Sequence, residues 1–222
     1  MDEITDKEKL LKNIRNALID KVENPFHDLD LDSSVYPPIE ESPDIYFVRR
    51  FIEVGGKFVY CANELELSEN LSDLLVNENL FPVFTPDERI RYLLLQNGID
   101  VIHNEDDFYE MKTGITSCEY LVARTGSIVF SSRLSSGRRM ITVPEVHIVI
   151  AHTSQIVVEI KEALANIRLK YQKQLPSFIT FVTGPSRTSD IEKTRVMGAH
   201  GPAKLYLFLI EEEIKPIFEN LL

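Results

Sequence analysis

The chain lacks the features of secreted, membrane-spanning and metal-clustered proteins. Its only two cysteines, Cys61 and Cys118, are far apart and form no C-x-x-C pair. The sequence therefore predicts no disulfide framework and no zinc or iron–sulfur site. No apolar run approaches the roughly 18 residues that a membrane span requires, and the first twenty residues are too charged for a secretory signal. We expect a cytoplasmic protein with no membrane insertion, no bound metal and no cofactor.

Motifs of the common cofactor-binding and hydrolytic enzymes are also missing. G-x-G-x-x-G, the phosphate loop G-x-x-x-x-G-K and H-E-x-x-H do not occur. Ser186 lies in GPSRT rather than in G-x-S-x-G, and the sequence indicates no base for it. Hydrolase chemistry is disfavoured, and the sequence leaves open whether the chain is an enzyme.

Positive charge is scarce and unevenly placed. The 222 residues carry a net charge of −11, which argues against nucleic acid as a partner. Residues 119–204, however, hold twelve Lys and Arg against six Asp and Glu. A basic region in an acidic protein suits a small anionic ligand such as a carboxylate or phosphate, although an ordinary solvated surface has the same composition.

Composition divides the chain into an arm and a body. Apolar residues at helical spacing predict an amphipathic helix over 6–19. Residues 21–43 contain four prolines and many acids with no sustained period, which is typical of an extended linker. We therefore predict an N-terminal helix and linker over 1–42 and an α/β domain over 43–222.

Helix and strand patterns alternate along the body. Helices are predicted over 45–54, ended by Gly55 and Gly56, and over 68–76, 86–96 and 154–171; strands are predicted over 57–62, 81–84, 99–103, 119–124, 127–131, 145–151, 178–183 and 204–210. The strands 119–124 and 127–131 are separated by little more than Thr125 and Gly126, so they form a tight antiparallel pair. This order predicts an α/β fold with a mostly parallel sheet flanked by helices, in which ligands usually bind at the carboxyl ends of the strands.

The segment TGPSRTSDIEKTRVMGAHGP, residues 183–202, has the highest density of residues suited to binding a ligand. Ser189 and Glu192 have the spacing of a capping box, which predicts a helix beginning near Asp190 with its free N–H groups facing the preceding loop. Arg187 in that loop offers a planar fork for a carboxylate or phosphate. The alternative is a solvent-exposed capped turn.

A second turn-rich cluster precedes the last strand and contains Gly198, His200 and Gly201. His200 is the residue there that can transfer protons near neutral pH, or it can simply bond to a backbone carbonyl. If the chain is catalytic, the acid/base candidates are His200, Asp190 and Glu192. His147 is expected to be a core histidine.

Residues 183–202 resemble the signature of the lactate-utilisation (LUD) domain family, which includes the C subunit of the bacterial L-lactate utilisation system. The resemblance continues through LVARTGSIVF, PEVHIVIA and KLYLFLIEE, so that it covers residues 114–212. It implies a bacterial protein with a fold like that of ribose-phosphate isomerases, glucosamine-phosphate deaminases and coenzyme A transferases.

The chain departs from this family at Arg124, where the family hairpin commonly carries a glutamate. In the similar coenzyme A transferases a glutamate is the covalent nucleophile, so a thioester-forming transferase is disfavoured. An arginine adds instead to the basic character of the pocket. The ligand-binding candidates are Arg124, Thr125, Gly126, Gly184, Ser186, Arg187, Thr188, Lys193, Gly198 and Gly201.

Three hypotheses of function follow. The first is a LUD-domain protein of lactate or related organic-acid utilisation, acting as an accessory or anion-binding subunit beside iron–sulfur oxidoreductase partners. The second is a stand-alone enzyme acting on a sugar phosphate or similar small anion, which rests on fold analogy. The third is a regulatory protein whose N-terminal arm docks a partner helix.

Removal of residues 1–42 should leave a folded body, because the linker composition predicts few contacts across it. We expect the truncated chain to keep a single cooperative thermal unfolding transition, measured by circular dichroism. Loss of that cooperativity would show that the arm is part of the core.

Overall fold

The computed structural model describes residues 5–19, 26, 28, 30, 36–102, 105–134, 138–189, 195–198 and 200–211. The chain divides into two units, Met1–Pro38 and Ile39–Leu222. The first unit holds one helix, as the periodicity predicts, and the second holds the α/β body. Within the described residues, no helix has the length and apolar character needed to cross a bilayer.

Five α-helices and eleven strands are described. The helices are α1 (Asp6–Ile19), α2 (Pro43–Glu53), α3 (Glu64–Asn77), α4 (Glu88–Gln96) and α5 (Ile160–Tyr171). The strands are β1 (Lys57–Cys61), β2 (Val83–Phe84), β3 (Thr113–Ser117), β4 (Tyr120–Val122), β5 (Ser127–Ser131), β6 (Val146–His152), β7 (Ile156–Val157), β8 (Ile179–Val182), β9 (Arg187–Ser189), β10 (Arg195–Met197) and β11 (Lys204–Ile210).

The main sheet is entirely parallel, in the order β1-β11-β6-β3-β2. Its two longest strands, β6 and β11, are nearly continuous apolar runs, and almost every residue in them is buried. Such runs are typical of parallel strands covered on both faces. The predicted fold class, a mostly parallel sheet flanked by helices, is confirmed.

Each face of the main sheet has its own layer. Apolar side chains of α3 and α4 pack on one face, against Ile148 and Phe208 among others. On the other face, Phe47 and Phe51 of α2 pack with Val149 and with residues of a second sheet. The main sheet is thereby enclosed between helices on one side and a helix plus a small sheet on the other.

The second sheet has the order β7-β4-β5-β8. Strands β4 and β5 form the predicted antiparallel hairpin, with Val122 paired to Ser127. The predicted strand 178–183 is β8, which pairs antiparallel with β5 and therefore lies outside the parallel sheet. Helix α5 covers this sheet through Ala163 and Ile167.

Three element predictions need correction. The strand expected over 99–103 is reduced to a single bridge between Ile102 and Phe84, since only the chain around Ile102 reaches the edge of the sheet. The helix expected from residue 154 begins only at Ile160, because residues 153–155 form a 3₁₀ turn and Ile156 pairs with Leu121. Strand β3 was not predicted: TGITS is a short, weakly apolar sequence, and pairing on both sides places it in the sheet.

His147 of β6 is a core histidine, as predicted. It is 1% exposed, shares a 2.8 Å hydrogen bond with the Thr116 hydroxyl and stacks on the Phe130 ring. Burial lowers the pKa of His147 to about 3. The folded chain therefore keeps this ring neutral in a pH range where an unfolded chain protonates it.

Acidification should destabilise the fold through His147. Below the ordinary histidine pKa of about 6.5, His147 is protonated in the unfolded state and neutral in the folded state. The free energy of unfolding therefore falls by about 1.4 kcal/mol per pH unit. We expect His147→Gln to reduce the loss of stability between pH 6.5 and pH 5 by about 2 kcal/mol, measured by urea denaturation.

His200→Gln is the matched control, because it removes an exposed histidine and leaves the buried His147 ring in place. Glu78, whose pKa is lowered to about 2 by hydrogen bonds from Lys204 and Tyr206, loses its contribution only at lower pH. If the free energy of unfolding falls equally with pH in both histidine variants and the parent, buried His147 is not the cause of the acid sensitivity.

Candidate functional site

The described residues of the signature segment, 183–189, 195–198 and 200–202, lie near the amino ends of the parallel strands. Gly184 and Arg187 contact Val54, which precedes β1. Gly201 and Pro202 lead directly into β11. The expected position at the carboxyl ends is therefore wrong for these residues, because β8, the strand from which the segment emerges, belongs to the second sheet.

The carboxyl end of α2 is the element against which the loop packs. The helix ends as predicted at Gly55, in a left-handed conformation with φ +92°. Arg187 donates a hydrogen bond to the carbonyl oxygen of Val54, one of the last carbonyls of the helix. A cation at this position also complements the negative end of the helix dipole. Arg187 is thus exposed and at the same time tied to the fold.

The hairpin turn 123–126 approaches the same helix end. A Cβ at Gly126 would lie 2.6 Å from the backbone of Arg50 and Phe51, and one at Gly184 would lie 2.3 Å from the Val54 carbonyl oxygen. Both glycines have positive φ angles. The structure therefore brings Gly126 and Arg187 to one helix end, as the sequence predicts, and only glycine allows this approach.

Hydroxyl groups line the turn. The Ser127 hydroxyl donates to the Thr125 hydroxyl at 2.7 Å and lies 2.7 Å from that of Thr183. Thr183 directly follows β8 and Thr125 lies in the hairpin turn, so this chain of hydroxyls joins the two predicted parts of the pocket. The sequence placed Thr125 in the site but did not indicate Ser127.

The Arg124 side chain forms an ion pair with Glu159. Its Nε donates to Glu159 Oε1 at 2.6 Å, and the Arg124 side chain is only 13% exposed. Glu159 lies directly before α5, 35 residues further along the chain. No local pattern in the sequence links these two residues, so the ion pair was not foreseen.

The helix predicted to begin near Asp190 falls on residues outside the described part of the chain. Ser189 lies in β9 and pairs with Arg195 of β10 in an antiparallel arrangement, which excludes a helix running through residue 195. Thr188 lies opposite Val196, a pair of β-branched residues that favours strands. The capping-box prediction for Ser189 and Glu192 therefore stays a prediction.

Several candidates fall outside the described part of the chain. Asp190, Glu192 and Lys193 are not among the described residues, and Thr188 is described in its backbone alone. Their predicted roles stay predictions.

Ser186 connects the loop to a cavity of about 680 Å³. Its N–H donates to the carbonyl of Pro202 at 2.8 Å, and its own carbonyl accepts from the Gly198 N–H at 3.1 Å. Gly198, His200 and Gly201 line the cavity. The second predicted cluster is therefore held against the first by backbone hydrogen bonds.

The remaining wall of the cavity comes from the amino ends of β3 and β6. It carries Lys112, whose ammonium donates to the Asn79 carbonyl at 2.8 Å, and the carboxylates of Glu110 and Glu145. The sequence did not place these three residues in a site, because they come from separate segments. A histidine, a lysine and two carboxylates give the cavity both acidic and basic groups. Among the described residues no cluster of three or more His, Cys, Asp or Glu side chains could hold a metal ion.

A buried carboxylate, Glu119, anchors the second sheet to α5. Glu119 accepts hydrogen bonds from Lys170 at 2.8 Å, from Tyr171 at 2.7 Å and from Ser131. Burial pushes the pKa of Glu119 upward, but these hydrogen bonds, led by that of Lys170, outweigh it and lower the pKa. The cluster ties the open end of the hairpin to the carboxyl end of α5.

Gly126→Ala should destabilise the fold more than Gly98→Ala. Both glycines have positive φ angles, +63° and +72°, so both variants carry the left-handed cost of about 1 kcal/mol. A Cβ at Gly98 meets nothing within 4 Å, whereas at Gly126 it meets backbone atoms. We expect Gly126→Ala to cost about 1 to 3 kcal/mol more, measured by urea denaturation; equal losses would mean that the turn does not pack on α2.

Comparison with known proteins supports the fold. A solved DUF162 family protein from Deinococcus radiodurans matches with a TM-score of 0.59 at 21% identity, over 78% of this chain and 99% of that one. In sequence, the chain is 32% identical over 168 residues to the uncharacterized protein YkgG of Escherichia coli K12, covering 74% of this chain and 68% of that protein.

Several relatives carry the name lactate utilization protein C. That of Bacillus licheniformis is 37% identical over 45% of this chain and 42% of its own length, and that of Deinococcus radiodurans is 30% identical over 51% and 55%. The chain thus spans about half the length of these relatives. The family model of the LUD domain matches residues 46–210, which include both sheets and the signature segment. The chain belongs to the LUD domain family.

Proposed function

We propose that this LUD-domain protein takes part in lactate or related organic-acid utilisation and binds a small anion, a carboxylate or phosphate, at Arg187, beside the cavity that His200 lines. The observation that carries the proposal is the convergence of the signature segment on one place. Gly126, Gly184 and Arg187 pack on the end of α2, and Ser186 joins them to the cavity. The relatives named lactate utilization protein C support the metabolic context.

Arg187 has donors to spare for an anion. A guanidinium carries five N–H groups, and its Nη2 group binds the Val54 carbonyl. The side chain is exposed, so a ligand can reach its remaining donors. A bidentate contact to a carboxylate or phosphate is the interaction that this geometry favours.

The protein acts in this proposal as an accessory subunit in the cytoplasm beside iron–sulfur oxidoreductase partners. The two cysteines of the chain are both buried, and burial raises the pKa of each thiol. Neutral, buried thiols are poor ligands for a cluster. Electron transfer during lactate oxidation would then belong to the partner subunits.

The cavity supports a second candidate, a stand-alone enzyme acting on a sugar phosphate. His200 lines the cavity together with Glu110 and Glu145, so a histidine and two acidic residues border one volume of about 680 Å³. These are the residue types of general acid/base catalysis. In this alternative His200 exchanges the proton, with Asp190 and Glu192 as further candidates.

Anions should stabilise the parent protein through Arg187. We expect L-lactate, inorganic phosphate or glucosamine 6-phosphate to raise the melting temperature in a thermal-shift assay. Arg187→Ala should weaken binding at least tenfold, which corresponds to the roughly 1.5 to 3 kcal/mol of a charge-assisted contact. It should also lose about 1 kcal/mol of stability, because the bond to Val54 disappears.

Arg133→Ala is the matched control. Arg133 is another arginine of the basic region that donates to a backbone carbonyl, that of Gln174, at 3.0 Å. Its loss should cost similar stability and leave the anion response unchanged. The anion site would be refuted if glucose alone raised the melting temperature. It would also be refuted if anions raised the melting temperature of Arg187→Ala as much as that of the parent. Turnover of glucosamine 6-phosphate abolished by His200→Ala would favour the enzyme.

A further inference from the structure

Strand β1 forms one edge of the parallel sheet. It pairs with β11 on one side, and within the described part of the chain no strand pairs with its other side. Lys57 and Tyr60 of this strand are exposed. An open edge presents unpaired N–H and C=O groups, which are a template for pairing with another chain.

The usual protection of an edge strand is weak here. The single charged side chain of β1, Lys57, is directed over the neighbouring strand, where its ammonium donates to the Tyr206 hydroxyl at 2.7 Å and lies 3.5 Å from a Glu78 oxygen. The strand KFVYC contains no proline or further charge. Nothing in β1 itself therefore opposes pairing.

An apolar groove of about 560 Å³ runs beside this edge, between α2 and the strand. It is lined largely by Ile45, Val48, Ile52, Phe58, Tyr60 and Leu209. Ile45, Ile52 and Tyr60 are 60%, 54% and 48% exposed, which is unusual for large apolar side chains that lie together. The groove and the open edge form one continuous surface, which we term the β1–α2 face.

The β1 sequence is complementary to itself in an antiparallel register. If Val59 lies on a two-fold axis, Val59 faces Val59 and Phe58 faces Tyr60 of the other copy. Aromatic cross-strand pairs stabilise sheets, and Lys57 then faces Cys61 rather than another lysine. The Tyr60 ring is already held by a hydrogen bond from its hydroxyl to Glu211.

The charged residues on the rim of the groove are also complementary to an identical rim. Arg49 stands beside Asp44 and Glu53 at the groove, and Arg49 pairs with Glu53 at 3.3 Å within the chain. A two-fold axis brings a rim with both signs against an identical rim, so that each arginine can meet acids of the other copy. A partner of one charge sign would leave part of this rim unmatched.

We propose that the occupant of the β1–α2 face is a second copy of this chain. The two β1 strands pair antiparallel, the main sheets join into one ten-stranded sheet, and the α2 helices bring Ile45 and Ile52 together across the axis. The surface is isologous, since each copy offers the same residues to the other, as a closed dimer requires.

The oligomeric state of the full chain tests this proposal. Light scattering after size exclusion should give the mass of a dimer at about 100 μM, and Ile52→Glu or Tyr60→Glu should raise the dimer dissociation constant at least tenfold. Val76→Glu is the matched control, because Val76 is 63% exposed on α3, on the opposite face of the sheet. A monomeric parent, or a dimer that survives both groove variants, would overturn the proposal.

Hydrogen exchange supplies a measurement that needs no variant. Amides of residues 57–61 in the parent should gain protection when the concentration rises from about 1 to about 100 μM. Amides of α4 serve as the internal reference and should not change. Equal exchange of the β1 amides at both concentrations, or protection gained at another surface instead, would contradict pairing at this edge.

Discussion

Burial of the two central strands on both faces is the constraint on which the rest of the fold depends. Strands β6 and β11 are apolar along nearly their whole length, so each face needs a covering layer. Helices α3 and α4 supply one layer. The other combines α2 with the second sheet, whose Leu121, Ile128 and Phe130 reach the same core as Val149 and Leu207. The second sheet is thus part of the core.

This layering also decides where the signature segment lies. Because β8 belongs to the second sheet, the loop after it crosses to the end of α2 and meets the amino ends of the parallel strands. Gly126 and Gly184 allow the two turns to touch that helix end. The requirement for glycine at these positions is therefore a packing requirement, and the pocket is its result.

Two buried ionisable groups have opposite charge states: Glu119 is charged and His147 is neutral. Glu119 stays charged because Lys170, Tyr171 and Ser131 all donate to it. His147 has a hydroxyl and a ring as neighbours, and it stays neutral. Glu119 holds the open end of the hairpin to α5, and His147 joins the main sheet to Phe130 of the second sheet, so both groups contribute to the packing of the two sheets.

The sequence by itself determined the features that arise within short segments. The arm helix, the stop of α2 at Gly55, the hairpin β4–β5 and the apolar strands β6 and β11 all follow from local periodicity and turn residues. The nearness of Gly126 to Arg187 was also predictable, from their place in two parts of one family signature. Local patterns failed where they are short: the apolar run at 99–103 predicted a strand, and a single bridge at Ile102 formed instead.

Only the tertiary structure decided which residues from distant segments meet. No sequence pattern relates Arg124 to Glu159, which form an ion pair, or Arg187 to Val54, which are hydrogen-bonded. The same is true of Lys112 and Glu145, which line one cavity. The same holds for the amino-end position of the pocket, because it depends on which sheet β8 enters. Hydrophobic patterning specifies that a segment is buried, but the partner it is buried against is chosen by the packing of the whole chain.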